Sequence, residues 1–451
     1  MKSRLLVVFL LINGLYLNAQ ISTNNPYSSQ GIGDASFYGN AYMTGMGGAS
    51  TALIDSSQTN LMNPSSYSHL AKQLPLFSLG IAHRENTFSS GDAAFKGRVT
   101  GITHMSLIIP FANRLGLAFG LKPFSRMGYE INNAEVVNED SIFYDYEGSG
   151  EIQEFNLGFS VKIVDRRKHS FTIGANGKHY FGRVENLRRA YIINSSGVQI
   201  GGLDQKFLRA RAIGYELGMN YVFKPSREHY FTLGATYRPE QQLTFNKSEA
   251  RIFYSGYTNT NSYDTIIQPV ATNGKVTIPD KISTGITYEY MPVSDSATRR
   301  SKLPKLLFTG EYTIENWSKY RETFGENVEN PGFNNSTALR FGFEYSPHRI
   351  ANDRSTFVNF YDKFSYRLGA YTVDTPYKFD DQTVVNRGVT VGIGIPIVIN
   401  RAVSTVNISA NYGEQGVNGN PNAVNETYYG FNLGINIAPS YDRWFNKYKL
   451  D

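Results

Sequence analysis

Cysteine is absent from this chain. Its absence excludes disulfides, thiolate metal sites, cysteine nucleophiles and a lipid anchor on an N-terminal Cys. An exported chain without disulfides needs another source of stability, and a closed barrel is one. Long apolar runs are missing too. After the N-terminus no stretch of about 18 apolar residues occurs, which argues against helical membrane spans. Tryptophan is nearly missing, with 2 residues against 31 Tyr and 29 Phe. Charge of one sign is also scarce. The formal net charge is +6, from 44 basic and 38 acidic residues. Without Lys2 and Arg4 the balance is 42 against 38, or +4, and the basic residues are scattered, so no nucleic-acid surface is expected.

Catalytic signatures are equally thin. The seven histidines, His69, His83, His104, His169, His179, His229 and His348, form no HExxH pair, and no G-x-S-x-G elbow occurs. An esterase built on His83 or His104 with a nearby serine finds no support in the spacing. Gly31-Ile32-Gly33-Asp34-Ala35-Ser36 approaches a dinucleotide fingerprint, but no strand precedes it and no helical pattern follows. The chain therefore reads as a non-enzyme with no metal and no cofactor.

What is present is alternation. Phe155 to Ile163 and Tyr429 to Ile437 place an apolar or aromatic residue at every odd position and a small, polar or charged one at every even position. A β-strand sends successive side chains to opposite faces, so each segment has one greasy and one wet face. In a soluble sandwich the greasy face points to a core. In an outer-membrane barrel it points to lipid and the wet face to a lumen. Aromatics at 14%, 42 glycines and a negative mean hydropathy suit the second case, in which lipid touches only half of each strand.

The alternation predicts strands at 76–84, 98–110, 114–127, 151–164, 169–183, 208–224, 229–245, 280–291, 305–317, 337–347, 364–373, 388–397, 405–412 and 428–438, about fourteen in all. The connections alternate between long ones (128–150, 184–207, 246–279) and short ones (111–113, 165–168, 225–228), as periplasmic turns and extracellular loops do. This parity puts both chain ends on the periplasmic side. Connections 292–304 and 348–363 are longer than the rule prefers. The architecture expected is an all-β, transmembrane antiparallel β-barrel with an N-terminal luminal plug.

The divisions follow. Residues 1–19 read as a signal peptide, with Lys2 and Arg4 before the apolar run Leu5 to Ile12 and Leu17-Asn18-Ala19 as a cleavage site. Residues 20–75 are too long for a plain linker and too polar and glycine-rich for a separate core, so they are expected inside the barrel. Residues 76–451 form the barrel. If the apolar parity faces lipid, many glycines face inward, and repeated glycine on one face means that something approaches it closely. The same parity makes Glu216, Arg238, Glu289, Glu311, Arg340, Glu344 and Arg367 lumen-lining residues, either along a transport path or in an ion-pair network that makes a wet interior tolerable. Gly116, Gly120 and Pro123 in the third strand mark a candidate irregularity of the wall, because Pro removes a ladder donor. The alternative is that Pro123 simply ends the strand at the outer rim.

Asn25-Pro26-Tyr27-Ser28, Gly31-Ile32-Gly33-Asp34, Met46-Gly47-Gly48-Ala49 and Asn63-Pro64-Ser65-Ser66-Tyr67 resemble the mature N-terminus of the FadL/TodX family of outer-membrane transporters. That family carries a Gly-Gly-Ala stretch and an Asn-Pro-Ala motif in a luminal hatch. Gly47, Gly48, Ala49, Asn63 and Pro64 keep the pattern, and Ser65 replaces the final Ala. The motif-level likeness covers roughly 40 residues. It implies a fourteen-stranded barrel in the outer membrane, in contact with its lipid, and passive uptake of hydrophobic small molecules of the long-chain fatty acid or aromatic type. In such members the substrate leaves sideways beside an irregular strand. Other relatives are accessory barrels that scaffold secretion or assembly machinery, with other envelope proteins as partners.

Overall fold

The computed structural model describes residues 25–35, 39–70, 74–91, 93–112, 114–137, 140–193, 199–257, 260–293, 302–351, 353, 358–399, 402–417, 420 and 423–439. The signal segment expected at 1–19 lies outside them. The strands are β1 (Leu76–Ser90), β2 (Ala93–Ala112), β3 (Leu115–Val137), β4 (Asp140–Asp165), β5 (His169–Ile193), β6 (Gln199–Phe223), β7 (His229–Arg238), β8 (Gln241–Tyr257), β9 (Thr260–Ile278), β10 (Lys281–Tyr290), β11 (Lys305–Glu315), β12 (Arg321–Phe324), β13 (Asn327–Glu329), β14 (Ser336–Ser346), β15 (Ser365–Phe379), β16 (Gln382–Ile399), β17 (Ala402–Gly416) and β18 (Asn425–Ile437). All sit in one antiparallel sheet, and β18 pairs back onto β1 from Phe77–Ile437 to Ser89–Asn425.

Two wall strands are broken by proline, which cannot donate to a ladder. β7 and β8 part at Pro239 and Glu240, and β9 and β10 at Pro279 and Asp280. The β12–β13 hairpin is an insertion between β11 and β14, which pair directly with each other, and it joins the sheet through β12 pairing with the Gly274 to Thr277 stretch of β9. Fourteen strands thus close the wall.

The barrel is inside-out over one half of its height. On β6 the outward residues Ile213, Tyr215, Leu217, Met219 and Tyr221 are exposed, while Glu216 and Asn220 are buried. Further along the same strand the faces exchange character: Leu208, Ala210 and Ala212 are buried, and Arg209 and Arg211 are exposed. The largest apolar core therefore sits at the long-strand end. It joins Tyr27 and Ile32 to Phe124, Met127, Val184, Leu208, Phe245, Val276, Trp317, Tyr320, Phe333 and Tyr377.

This upper half differs from the sequence expectation. Residues 128–150, 184–207 and 246–279 were expected as loops, yet most of them continue the ladders. β4, β5 and β6 run to 26, 25 and 25 residues, against the roughly 10 that cross a bilayer. Beyond the apolar belt both faces carry polar residues, so the alternation fades although backbone pairing persists. The short connections agree closely, since β2 gives way to β3 after Ala112, β4 to β5 after Asp165 and β6 to β7 after Phe223.

Candidate functional site in the barrel lumen

The chain from Asn25 to Leu70 has little regular structure of its own. It makes three short turns, Pro26–Ser29, Ala41–Thr44 and Pro64–His69, each preceded by an asparagine. The Asn25, Asn40 and Asn63 side chains accept hydrogen bonds from the Tyr27, Met43 and Ser65 amides and so cap their turns. Met43, Met46, Tyr42 and Leu53 pack on Leu307 of β11, and Tyr67, Leu61 and Leu70 pack on Ile108 and Ala118 of β2 and β3.

The glycines of the wet face are where this segment approaches the wall. A Cβ on Gly369 of β15 would stand 2.5 Å from the Met46 carbonyl carbon and 2.6 Å from the Gly47 Cα. Gly47 itself has φ +69° and donates its amide to Thr390 Oγ1 at 3.0 Å. Gly48 follows at φ +82°, and Ala49 is fully buried. Only glycine combines that left-handed backbone with so close an approach. Pro64 lies against Gly174 and Gly218, Tyr67 against Gly116 and Gly158, and Leu61 against Gly120.

Polar contacts fix the same segment. Glu311 Oε2 accepts from the Ser50 and Thr51 amides, both at 2.7 Å, and from Ser50 Oγ at 3.2 Å. Glu311 Oε1 accepts from Arg340 Nη1 at 3.0 Å and Thr313 Oγ1 at 3.3 Å. Asn63, wholly buried, donates to the Thr51 carbonyl at 2.6 Å and to Asn220 Oδ1 at 3.2 Å. Gln58 donates to Thr405 and accepts from Asn407 and Asn436, and Tyr67 Oη donates to Asn176 at 2.9 Å.

The remaining charges form compact clusters. Lys305 reaches Asp55 at 3.4 Å, Glu289 at 3.2 Å and Glu344 at 3.1 Å, and Arg367 Nε donates to Glu344 at 2.7 Å. The Arg367 guanidinium also lies 4.5 Å over the Tyr42 ring. Lys178 bridges Glu154 and Glu216, and Glu315 joins Arg238 to Lys281. All seven residues expected from sequence to line the lumen thus take part in ion pairs, and six of them are buried, with Glu289 half-buried. Sequence reading missed Lys305 and Glu315, although both share the inward parity of Glu311 on β11. It could not find Ser50, Thr51 or Gln58, which carry no periodic signal.

Two cavities flank the segment. One, of about 340 Å³, is lined by Ser50, Leu61 and Met62 and by charged wall residues including Glu154, Arg238, Glu311 and Arg340. The other, of about 570 Å³, is lined by Ile54 to Gln58 with Glu289, Lys305, Glu344 and Arg367. They share no lining residue. Among the described residues no group of three or more His, Asp or Glu could hold a metal ion.

The third strand departs from regular geometry beside Pro123. The β3–β4 register shifts between Pro123 and Ser125, and the β2–β3 ladder stops at Met105–Leu121 although both strands continue. Pro123 does not end β3, which runs on to Val137. Into this split comes the N-terminal segment: Asp34 and Arg126 exchange backbone hydrogen bonds at 2.7 and 2.9 Å, Ser125 Oγ donates to the Ile32 carbonyl, and Arg126 Nη2 donates across the split to the Ile102 carbonyl. Gly120 lies below it in the paired part of β3, opposite Ser106, whereas Gly116 stands at a second register shift, between the Ile109–Leu117 and Ala112–Leu115 pairs.

A closed fourteen-stranded wall with apolar residues outside and buried charges inside defines a β-barrel of the outer-membrane transporter fold. A family model described as BamG matches residues 1–451, and the chain belongs to that family. The fold is shared with the toluene transporter TodX of Pseudomonas putida, at TM-score 0.55 and 14% identity over 89% of this chain and 98% of that one. It is shared with the toluene transporter TbuX of Ralstonia pickettii, at TM-score 0.51 and 12% identity over 88% and 98%. A FadL homologue of Pseudomonas aeruginosa aligns at TM-score 0.52 and 12% identity over 88% and 97%. No curated protein matches the chain. The likeness to FadL and TodX is therefore one of fold, and the family bears a different name from the one its N-terminal motifs resemble.

Proposed function

We propose that this protein is a sealed, non-catalytic accessory barrel of the outer membrane, which scaffolds an envelope assembly or secretion complex through its tall extracellular strands. Residues 25–70 act as its plug. The observation that carries this reading is the fixing of Ser50 and Thr51 by Glu311 between two separate cavities. A segment built to shift for a greasy cargo would be held weakly, whereas here Ser50 and Thr51 are held by charge-assisted hydrogen bonds beside the Glu311–Arg340 pair, although Phe124, Trp317 and Phe333 also line the same cavity. Membership of the BamG family supports the same reading. The partners are lipid around the belt and other envelope proteins above it.

A second reading, uptake of hydrophobic small molecules, draws support from the split between β2 and β3, because the upper cavity reaches Gly101 and Arg126 there. Its fold neighbours TodX and TbuX are toluene transporters. Two measurements separate the readings. The accessory barrel, purified in mild detergent after cross-linking in cells, retains the same envelope proteins in fixed stoichiometry and opens no conductance in planar bilayers. A protein that purifies alone, and whose gene deletion abolishes uptake of a fatty acid or toluene, defeats the accessory reading.

A further inference from the structure

We infer that the outer wall carries a binding site for the phosphorylated headgroup of an outer-leaflet glycolipid, at Arg209 and Arg211 of β6. This rests on the reading of the apolar belt as membrane-embedded.

The position follows from the strand itself. Tyr221, whose hydroxyl bonds His169 Nδ1, lies near the short-turn end, and Arg211 stands ten residues above it on the same outward face. At about 3.3 Å per residue and a tilt of about 40°, ten residues rise about 25 Å, the height of a barrel's apolar band. Arg211 therefore stands where acyl chains give way to headgroups. Below it the outward face is Ile213, Tyr215 and Leu217; above it is Arg209.

Neither the Arg209 nor the Arg211 side chain makes an ion pair or hydrogen bond among the described residues, and both are exposed. Their Cα atoms are about 6.6 Å apart on one strand face, so two guanidiniums can share one phosphate. Across the ladder Arg209 faces Arg183, which adds positive potential although it lies 3.7 Å from Glu185. The neighbouring carboxylate Glu151 is engaged by Arg126 at 3.2 Å. The surplus charge of the patch is cationic and stays on the two β6 arginines.

A notch beside them offers a seat for an acyl chain. β6 pairs with β8 up to Ala210 and with β7 only from Leu217, because the proline break lies between. The Gln241 side chain spans the interruption, accepting from the Tyr215 amide and donating to its carbonyl. Ile213, in this notch, is 80% exposed, far more than Leu217 at 46%. A phosphate on the arginines would place the first methylenes of its lipid against Ile213.

The test is native mass spectrometry of the full chain in detergent, titrated with phosphorylated lipid A, phosphatidylethanolamine or inorganic phosphate. The wild type should take up lipid A in preference to both other probes. Arg209→Gln with Arg211→Gln should weaken that binding at least tenfold and leave phosphatidylethanolamine unchanged. The double lysine variant should stay within about threefold of wild type, because ammonium groups also bind phosphate as point charges. Heat-modifiable gel mobility checks that each variant is a folded barrel. Equal lipid A binding by wild type and the glutamine variant overturns the inference, as does a wild type that shows no preference for lipid A. A wild type that stays monodisperse without detergent removes the membrane reading first, and the site with it.

Discussion

Replacing Glu311 by alanine should release residues 46–53 from the wall without breaking the barrel ladder. The carboxylate accepts from two backbone amides, a serine hydroxyl, a threonine hydroxyl and Arg340. Its removal takes away the nearest counter-charge of buried Arg340, which keeps Thr313 and the more distant Glu315, and deletion of one partner of a buried pair typically costs about 3–5 kcal/mol. The barrel ladder does not depend on this carboxylate, so the loss falls on local opening of residues 46–53. At about 1.4 kcal/mol per decade, the lower figure corresponds to about a hundredfold. Hydrogen exchange at Ser50 and Thr51 in the folded, detergent-solubilised protein should accelerate by that factor, while β14 to β18 keep their protection. Liposome swelling with a small sugar should rise in parallel. Exchange at Ser50 and Thr51 within threefold of wild type would refute the assignment of Glu311 as the pin of the segment.

Gly369→Val should displace the backbone at Met46 and Gly47, at an overpacking cost of about 1–3 kcal/mol, and exchange at 45–48 reports it while heat-modifiable mobility stays normal. Leu433→Arg, at the middle of the outward face of β18, should destabilise refolding into lipid by about 2–4 kcal/mol, whereas Thr427→Arg near the rim should cost about 0–1 kcal/mol; equal costs would argue against lipid contact. Glu329, on the β12–β13 hairpin, supplies a pH dependence. Burial raises its carboxyl, but hydrogen bonds from Lys206 and Lys247 outweigh this and bring it to about 2. A lowered folded pKa gives stability that is present above about 4.5 and is lost as pH falls toward 2. Protection of β12, β13 and the facing part of β8 should decline through that window in the wild type and stay flat in Glu329→Gln.

The membrane-facing half of the fold was legible because lipid imposes a strict period of two. Phe155 to Ile163 and Tyr429 to Ile437 each occupy a single strand with alternating burial. The upper half was not legible, because strands that leave the bilayer need no apolar outer face. Val184 and Val276 anchor a conventional core there, yet they lie in the spans 184–207 and 246–279, where neighbours such as Glu185, Asn186, Lys275 and Thr277 look like loop residues in isolation. Within the lumen, the inward parity of Glu311 and Arg340 could be read from β11 and β14, whereas the partner of Glu311 in the N-terminal segment could not. Ser50 and Thr51 are positioned by long-range contact with Glu311, and no local pattern encodes a match across some 260 residues.

The seam between the first and last strands constrains how the chain reaches its final state. Residues 41–69 touch β2 to β6 on one side and β16 to β18 on the other. Their backbone fits the wall too tightly at Gly369 and Gly116 to be threaded in afterwards. This close fit predicts that residues 41–69 are in place before Asn425–Ile437 pairs with β1 and closes the ring. Maturation would be limited by the slowest, most sequence-distant pairing the molecule makes, and a C-terminal truncation should leave an open sheet whose N-terminal segment is accessible to protease.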